Sequence, residues 1–166
     1  MPTTYTEPTD LAKLHPPQLA SRLRALTEHA DQYFARMPAF CTVEPIAPGK
    51  WTALQLVGHL CDSAANNIQR VVRLQLAPEL TFPGYQQDEW VNTQGYSTES
   101  WADLRALFSA LNKHLAHIIA KVDPAHLAHI WHYTEGDLTL GFIIEDYIAH
   151  LKHHLKALPG FPATAL

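Results

Sequence analysis

Four stretches of the chain repeat apolar residues at the three-to-four spacing of a helix with one buried face. In the first, Leu19, Leu23, Leu26, Ala30, Tyr33 and Phe34 recur between Pro17 and Met37, and Pro38 stops the run. The second spans about Thr52 to Leu76, with Leu54, Val57, Cys61, Ala64, Ala65, Ile68, Val71 and Val72 on one arc and Pro78 just past its end. The third covers Ser100 to Val122 and carries Leu104, Leu107, Phe108, Leu111, Leu115, Ile118 and Ile119. Ser97 or Ser100 can cap it, with Asp103 placed to assist. The fourth runs from Thr139 to Leu158 on a stripe of Ile144, Tyr147, Leu151, Leu155 and Leu158, and Pro159-Gly160 ends it.

The intervening segments read as connectors. Ala39 to Lys50 holds Pro45, Pro48 and Gly49. Pro78 to Ser97 is a long connection rich in aromatics (Phe82, Tyr85, Trp90 and Tyr96). It is either a lid or binding loop, or a plug for one end of the core. Asp123-Pro124 opens a short helical turn through Leu127, and His129 to Gly136 connects it to the last helix. No internal repeat and no strand alternation is evident. The pattern predicts an all-α four-helix bundle with a long aromatic-rich loop between helices 2 and 3. One domain is expected over residues 1–166, with 1–16 as an N-terminal arm and 159–166 as a C-terminal tail.

Composition narrows the function classes. The chain is 47% hydrophobic and 17% charged with a net charge of −4, which is globular and slightly acidic. No Lys/Arg run provides the electrostatic footprint for nucleic acid. Two cysteines make no disulfide framework, and Cys61 falls on an apolar face, as a core residue would. There is no basic-then-apolar leader and no apolar run of about 18 residues, so a cytoplasmic protein without a membrane span is expected. The oddity is eleven histidines, clustered near positions 114, 126 and 150.

The fourth helix concentrates the candidate chemistry. His150 and His154 lie about 40° apart on one face and border the apolar stripe, while His153 points away towards water. A histidine pair four residues apart can grip one transition metal, but a site needs at least a third ligand. On the second helix His59, Asp62, Ser63, Asn66 and Arg70 form one polar stripe. Periodicity reads that stripe as a solvent face, with His59 an ordinary surface histidine. Alternatively, it lines a groove between helices, where bundles build their metal sites. His114 and His117 read as solvated. His126, His129 and His132 are open as a further ligand or a substrate contact.

Several of these residues occur together in a known family. Gly49-Lys50-Trp51-Thr52, Gln55 to Ser63 (QLVGHLCDS), Asn66 and Arg70, Pro83-Gly84-Tyr85, Asp88-Glu89-Trp90 and His150-Leu151-Lys152-His153-His154 resemble the DinB-like superfamily of metal-binding four-helix bundles. The likeness covers about Ala20 to Leu158, and is strongest to the subgroup named for metal-dependent hydrolysis. The same superfamily holds bacillithiol transferases. The resemblance implies one divalent metal, zinc or nickel, bound by His59, His150 and His154. Three neutral imidazoles leave a coordination position open, and bound zinc lowers the pKa of water to about 7 or deprotonates a thiol.

The expected activity is therefore metal-dependent S-transfer of a low-molecular-weight thiol to an electrophile. Asn66, Arg70 and Trp90 are the candidate substrate contacts, and Asp62 is a candidate supporting or catalytic group. The alternatives are a metal-dependent hydrolase and a non-enzymatic metal- or thiol-binding bundle. Hydrolysis needs a general acid/base. Leu151 stands where an H-E-x-x-H motif has its glutamate, so Asp62, Asp88 or Glu89 would have to serve. Family members frequently form dimers, which makes a homodimer the expected assembly.

Overall fold

Thr52 starts the helix on which the candidate site is built. Its hydroxyl accepts from the Gln55 backbone N–H, and the Gln55 side chain accepts from the Thr52 N–H, a reciprocal capping box. The helix that follows, α3 (Ala53–Leu76), is the longest of six in the computed structural model, which describes residues 9–162. The others are α1 (Pro16–Ala35), α2 (Ala39–Val43), α4 (Gln87–Gln94), α5 (Trp101–Ile119) and α6 (Leu140–Lys156). The outer parts of the expected arm and tail, 1–8 and 163–166, lie outside the described residues.

Four of these helices form the bundle. α1 packs against α5 and α6, and α3 packs against the same two. Helices consecutive in the bundle, α1 with α3 and α5 with α6, therefore stand diagonally opposed rather than side by side. The apolar stripes meet in one core that includes Leu23, Phe34, Leu60, Leu104, Phe108, Ile144 and Leu151. Each such side chain, fully buried, contributes about 1.5–3 kcal/mol. Cys61 lies in this core, as its position on the apolar arc predicts. Inside it, the Tyr147 hydroxyl donates to the buried Asn112 amide oxygen, so α5 and α6 share a satisfied polar contact.

Two expectations need correction. The connectors hold a three-stranded sheet, although the pattern showed no strand. β1 (Glu79–Thr81) runs parallel to β2 (Ile130–Tyr133), which pairs antiparallel with β3 (Gly136–Thr139). The strands are three or four residues long, too short to display alternation, and β1 pairs with a segment some fifty residues away in sequence (Leu80 opposite Trp131). The second correction concerns the polar stripe of α3. It is not a solvent face: His59, Asp62, Ser63, Asn66 and Arg70 are all buried, under α6 on one side and the segment carrying α4 on the other.

The sheet and α4 together fix the long connection against α3. The Trp131 indole N–H donates to the Phe82 carbonyl at 2.9 Å. Further on, the Tyr96 ring rests on Gly58, where a Cβ would stand 2.2 Å from it. The plug reading of the aromatics holds for part of the loop. Tyr85 and Tyr96 are buried, whereas Trp90 is 40% exposed.

Candidate metal centre

His59 is fully buried near the start of α3, while His150 (7% exposed) and the half-buried His154 occupy successive turns of α6. The contact between α3 and α6 brings the three imidazoles together. Nε2 of His150 lies 3.1 Å from Nε2 of His59 and 3.0 Å from Nε2 of His154. One ring nitrogen carries either one proton or one lone pair, so the His150 nitrogen cannot serve both neighbours well. A single cation can accept a lone pair from each. Two nitrogens bound at about 2.0–2.1 Å to one ion, at angles between a right angle and the tetrahedral value, lie about 2.9–3.4 Å apart. The two spacings from His150 fall within that range, and the three ligand atoms all lie within 4.8 Å of one another. These three form the one group of three or more His, Cys, Asp or Glu side chains able to hold a metal among the described residues.

Electrostatics favour the form that metal binding needs. Burial, with a smaller contribution from His154, pushes the His59 pKa down to about 3. Burial and then His153 push His154 down to about 4. His150 is depressed by burial and by its three histidine neighbours. All three are thus neutral at pH 7, with no proton to remove from a ligand nitrogen. Ring packing fixes the His59 imidazole: the Trp51 indole is 5.1 Å from it and the His154 ring 4.8 Å. On its other side, His150 Nδ1 lies 3.5 Å from the Ser63 hydroxyl.

Around the histidines sit the other residues of the α3 stripe. Asp62 has one oxygen engaged: its Oδ1 accepts from the Gln94 amide at 2.7 Å and from the Tyr96 hydroxyl at 2.8 Å. Its Oδ2 is buried without a hydrogen-bond partner among the described residues. Burial raises the Asp62 pKa, and the two hydrogen bonds oppose that shift. Asn66 donates to the Asp62 carbonyl on its own helix. Arg70 is buried with its guanidinium 4.1 Å from the Trp131 ring. Trp90 packs its ring 4.8 Å from Tyr85, which in turn lies 6.5 Å from His59.

A cavity of about 460 Å³ adjoins the histidines, lined by Trp51, Leu56, Lys50, Asp88, His153 and His154 among others. His153 itself is exposed, and so is Glu89. His114 and His117 are exposed on α5, as the pattern predicts, and His126, His129 and His132 lie away from the cluster. Tyr85, Gln94 and Tyr96, which surround Asp62 and His59, were not singled out by the sequence as site residues. Tyr85 and Tyr96 stood out as loop aromatics, but Gln94 left no trace, because its contact exists only once the loop has folded onto α3.

Comparison with known proteins places the chain. A sequence profile of the DinB superfamily matches residues 6–158. A protein of Oceanobacillus iheyensis, provisionally named a metal-dependent hydrolase, is 31% identical over 111 residues, which is 64% of this chain and 62% of that protein. A protein of Bacillus mycoides with the same provisional name is 25% identical over 111 residues, 66% of this chain and 64% of its own. The chain thus spans less than two thirds of the length of either relative. Among solved structures, YfiT from Bacillus subtilis superposes with a TM-score of 0.79 at 19% identity, over 93% of this chain and 89% of that one. YfiT is described provisionally as a metal-dependent hydrolase with an unusual four-helix bundle topology. At that identity the likeness establishes the fold.

Proposed function

The chain belongs to the DinB superfamily, and from that premise we propose that it is a metal-dependent enzyme in which His59, His150 and His154 hold one divalent ion, zinc or nickel. We assign it S-transfer: a low-molecular-weight thiol, its proton passing to solvent, would attack an electrophile in the adjoining cavity, the new bond to sulfur forming as the bond to the leaving group breaks. The observation that carries this reading is the convergence of three neutral imidazoles, two buried and one half-buried, whose ligand atoms lie within 4.8 Å of one another. An ion held by neutral ligands keeps its full positive charge, and supplies Lewis acidity that lowers the pKa of a coordinated thiol or water.

The chain's own residues do the rest. Trp51 and Leu56 give the cavity an apolar wall beside His154. Asn66, Arg70 and Trp90 are the proposed substrate-facing residues, with Arg70 and Asn66 deepest. No glutamate stands between the two histidines of α6, since Leu151 is part of the core. A thiol would need no such base, because a divalent ion held by His59, His150 and His154 would lower its pKa enough for the proton to pass to solvent. A second reading, hydrolysis, is favoured by the unengaged Oδ2 of Asp62, a buried carboxylate oxygen able to take a proton.

The test is elemental analysis of untagged protein purified without added metal or chelator, with His150→Ala beside it. About one equivalent of zinc or nickel, lost in the variant, is expected. Loaded protein is then given 1-chloro-2,4-dinitrobenzene with cysteine, and separately p-nitrophenyl acetate without thiol. Thiol-dependent conjugation supports S-transfer. Turnover of the ester alone transfers the function to hydrolysis, and bound metal with neither activity identifies a binding protein.

A further inference from the structure

We propose that the ligand of this site carries a carboxylate, held by the Arg70 guanidinium and the Tyr85 hydroxyl. The inference deepens the reading above by naming the substrate class, and rests on it only in taking the histidine cluster as the neighbouring reaction centre. Arg70 is 4% exposed, and among the described residues no carboxylate lies within 4.0 Å of its nitrogens, Asp146 acting on it only from a greater distance. Its hydrogen bonding amounts to one long contact, Nη1 to the Asn67 amide oxygen at 3.4 Å, and its Nε has no partner. The ring of Trp131 covers one face of the guanidinium at 4.1 Å but engages none of its in-plane N–H groups. A buried cation with an unfilled donor edge is a costly arrangement that an anionic ligand relieves.

Tyr85 repeats the pattern. It is 8% exposed, and its hydroxyl makes no hydrogen bond of good geometry, although the Ser63 side chain approaches it. Asp62 and Arg70 act on that hydroxyl electrostatically. Its ring faces His59 at 6.5 Å, which puts Tyr85 beside the histidine cluster, and Arg70, three turns further along α3 from His59, is its electrostatic neighbour. A planar carboxylate matches the guanidinium fork, and the tyrosine O–H supplies a further donor.

The surroundings select among anions. A cavity of about 450 Å³ is lined by the buried Tyr85 and the half-buried Tyr133, the two tyrosines that stand as electrostatic neighbours between it and Arg70, which is not itself on the lining. Exposed Asp88, Glu89 and Glu135 line the same cavity. Three acids disfavour a phosphate or another polyanion, whereas a single carboxylate with an uncharged or amine-bearing body is compatible with both ends.

Isothermal titration with butyrate, 4-aminobutyrate and butylamine tests this on the metal-loaded protein and on Arg70→Met, Tyr85→Phe and His154→Ala. Butyrate and 4-aminobutyrate bind the unaltered protein and butylamine does not. Arg70→Met weakens both carboxylates by about 10-fold or more, as loss of a charge-assisted hydrogen bond should, and Tyr85→Phe weakens them by about 3- to 10-fold. His154→Ala, which disrupts the metal centre, leaves carboxylate affinity within a factor of about three of the unaltered protein. That result holds whether or not the metal reading survives, so the two can fail separately. Binding that is lost in His154→Ala and retained in Arg70→Met would mean that the carboxylate ligates the metal itself, and would overturn the inference. Absence of carboxylate binding to the unaltered protein overturns it too. If Arg70→Met does not fold, Tyr85→Phe decides, because it keeps the ring that packs on Trp90 and removes only the hydroxyl oxygen.

Discussion

Single side chains separate a proposed metal ligand from a bystander here, and α6 provides both within five positions. His150 and His154 turn their Nε2 atoms to one point with His59, while His153 is exposed with its ring edge-on to His154 at 5.3 Å. In competition titrations with a chromophoric zinc chelator, His59→Ala, His150→Ala and His154→Ala should each lower affinity by more than about 100-fold, beyond the 10–100-fold typical of losing a mere supporting partner. His153→Ala should change it by less than about 3-fold. Equal losses from all four would refute the assignment of faces. The α6 pair was legible from helical spacing alone. His59 was not, because helical period shows which residues share a stripe and not what covers it. Its stripe reads as polar, and polar stripes usually meet water. The burial comes from α6 and the loop around α4, which are contacts between segments far apart in sequence.

At the level of elements, the four bundle helices were legible to within one to three residues at either end, since each has an apolar stripe and most have a recognisable stop. The start of α3 is the clearest case, with Thr52 and Gln55 forming both halves of the capping box. This cap also determines where the metal cluster begins, because His59 lies two turns into the helix it opens. Thr52→Ala should destabilise the protein by about 1 kcal/mol, read as a lower urea midpoint with an unchanged slope. A change in slope instead would show that the start of α3 frays independently of the bundle. The sheet escaped the pattern for a different reason. Three- and four-residue strands carry no period, and the parallel pairing of Leu80 with Trp131 depends on the bundle having brought Pro78 and Ile130 together. That sheet is what anchors Tyr85 and Trp131 beside α3, so the least legible element supports the polar half of the site.

For the molecule as a whole, three neutral histidines at the α3–α6 contact couple stability to protons and to metal. His59 titrates at about 3 and His154 at about 4 in the fold, against about 6.5 in an unfolded chain. Between those values the unfolded chain binds more protons than the folded one. Metal-free protein therefore loses stability as pH falls from about 6.5 towards 4, by at most about 1.4 kcal/mol per pH unit for each imidazole. Above that window the histidines contribute no pH dependence. Metal acts in the opposite sense: an ion that binds the folded chain at a free concentration 1,000 times its Kd adds about 4 kcal/mol. Urea midpoints at pH 7 and pH 5, with zinc or with chelator, should show a steep loss on acidification without metal and a zinc-dependent rise at pH 7. In His154→Ala the acid loss should be shallower and the zinc response absent. A variant that kept the full zinc response would show that the ion binds elsewhere, and an unchanged acid slope would mean that other groups govern the acid sensitivity of the fold.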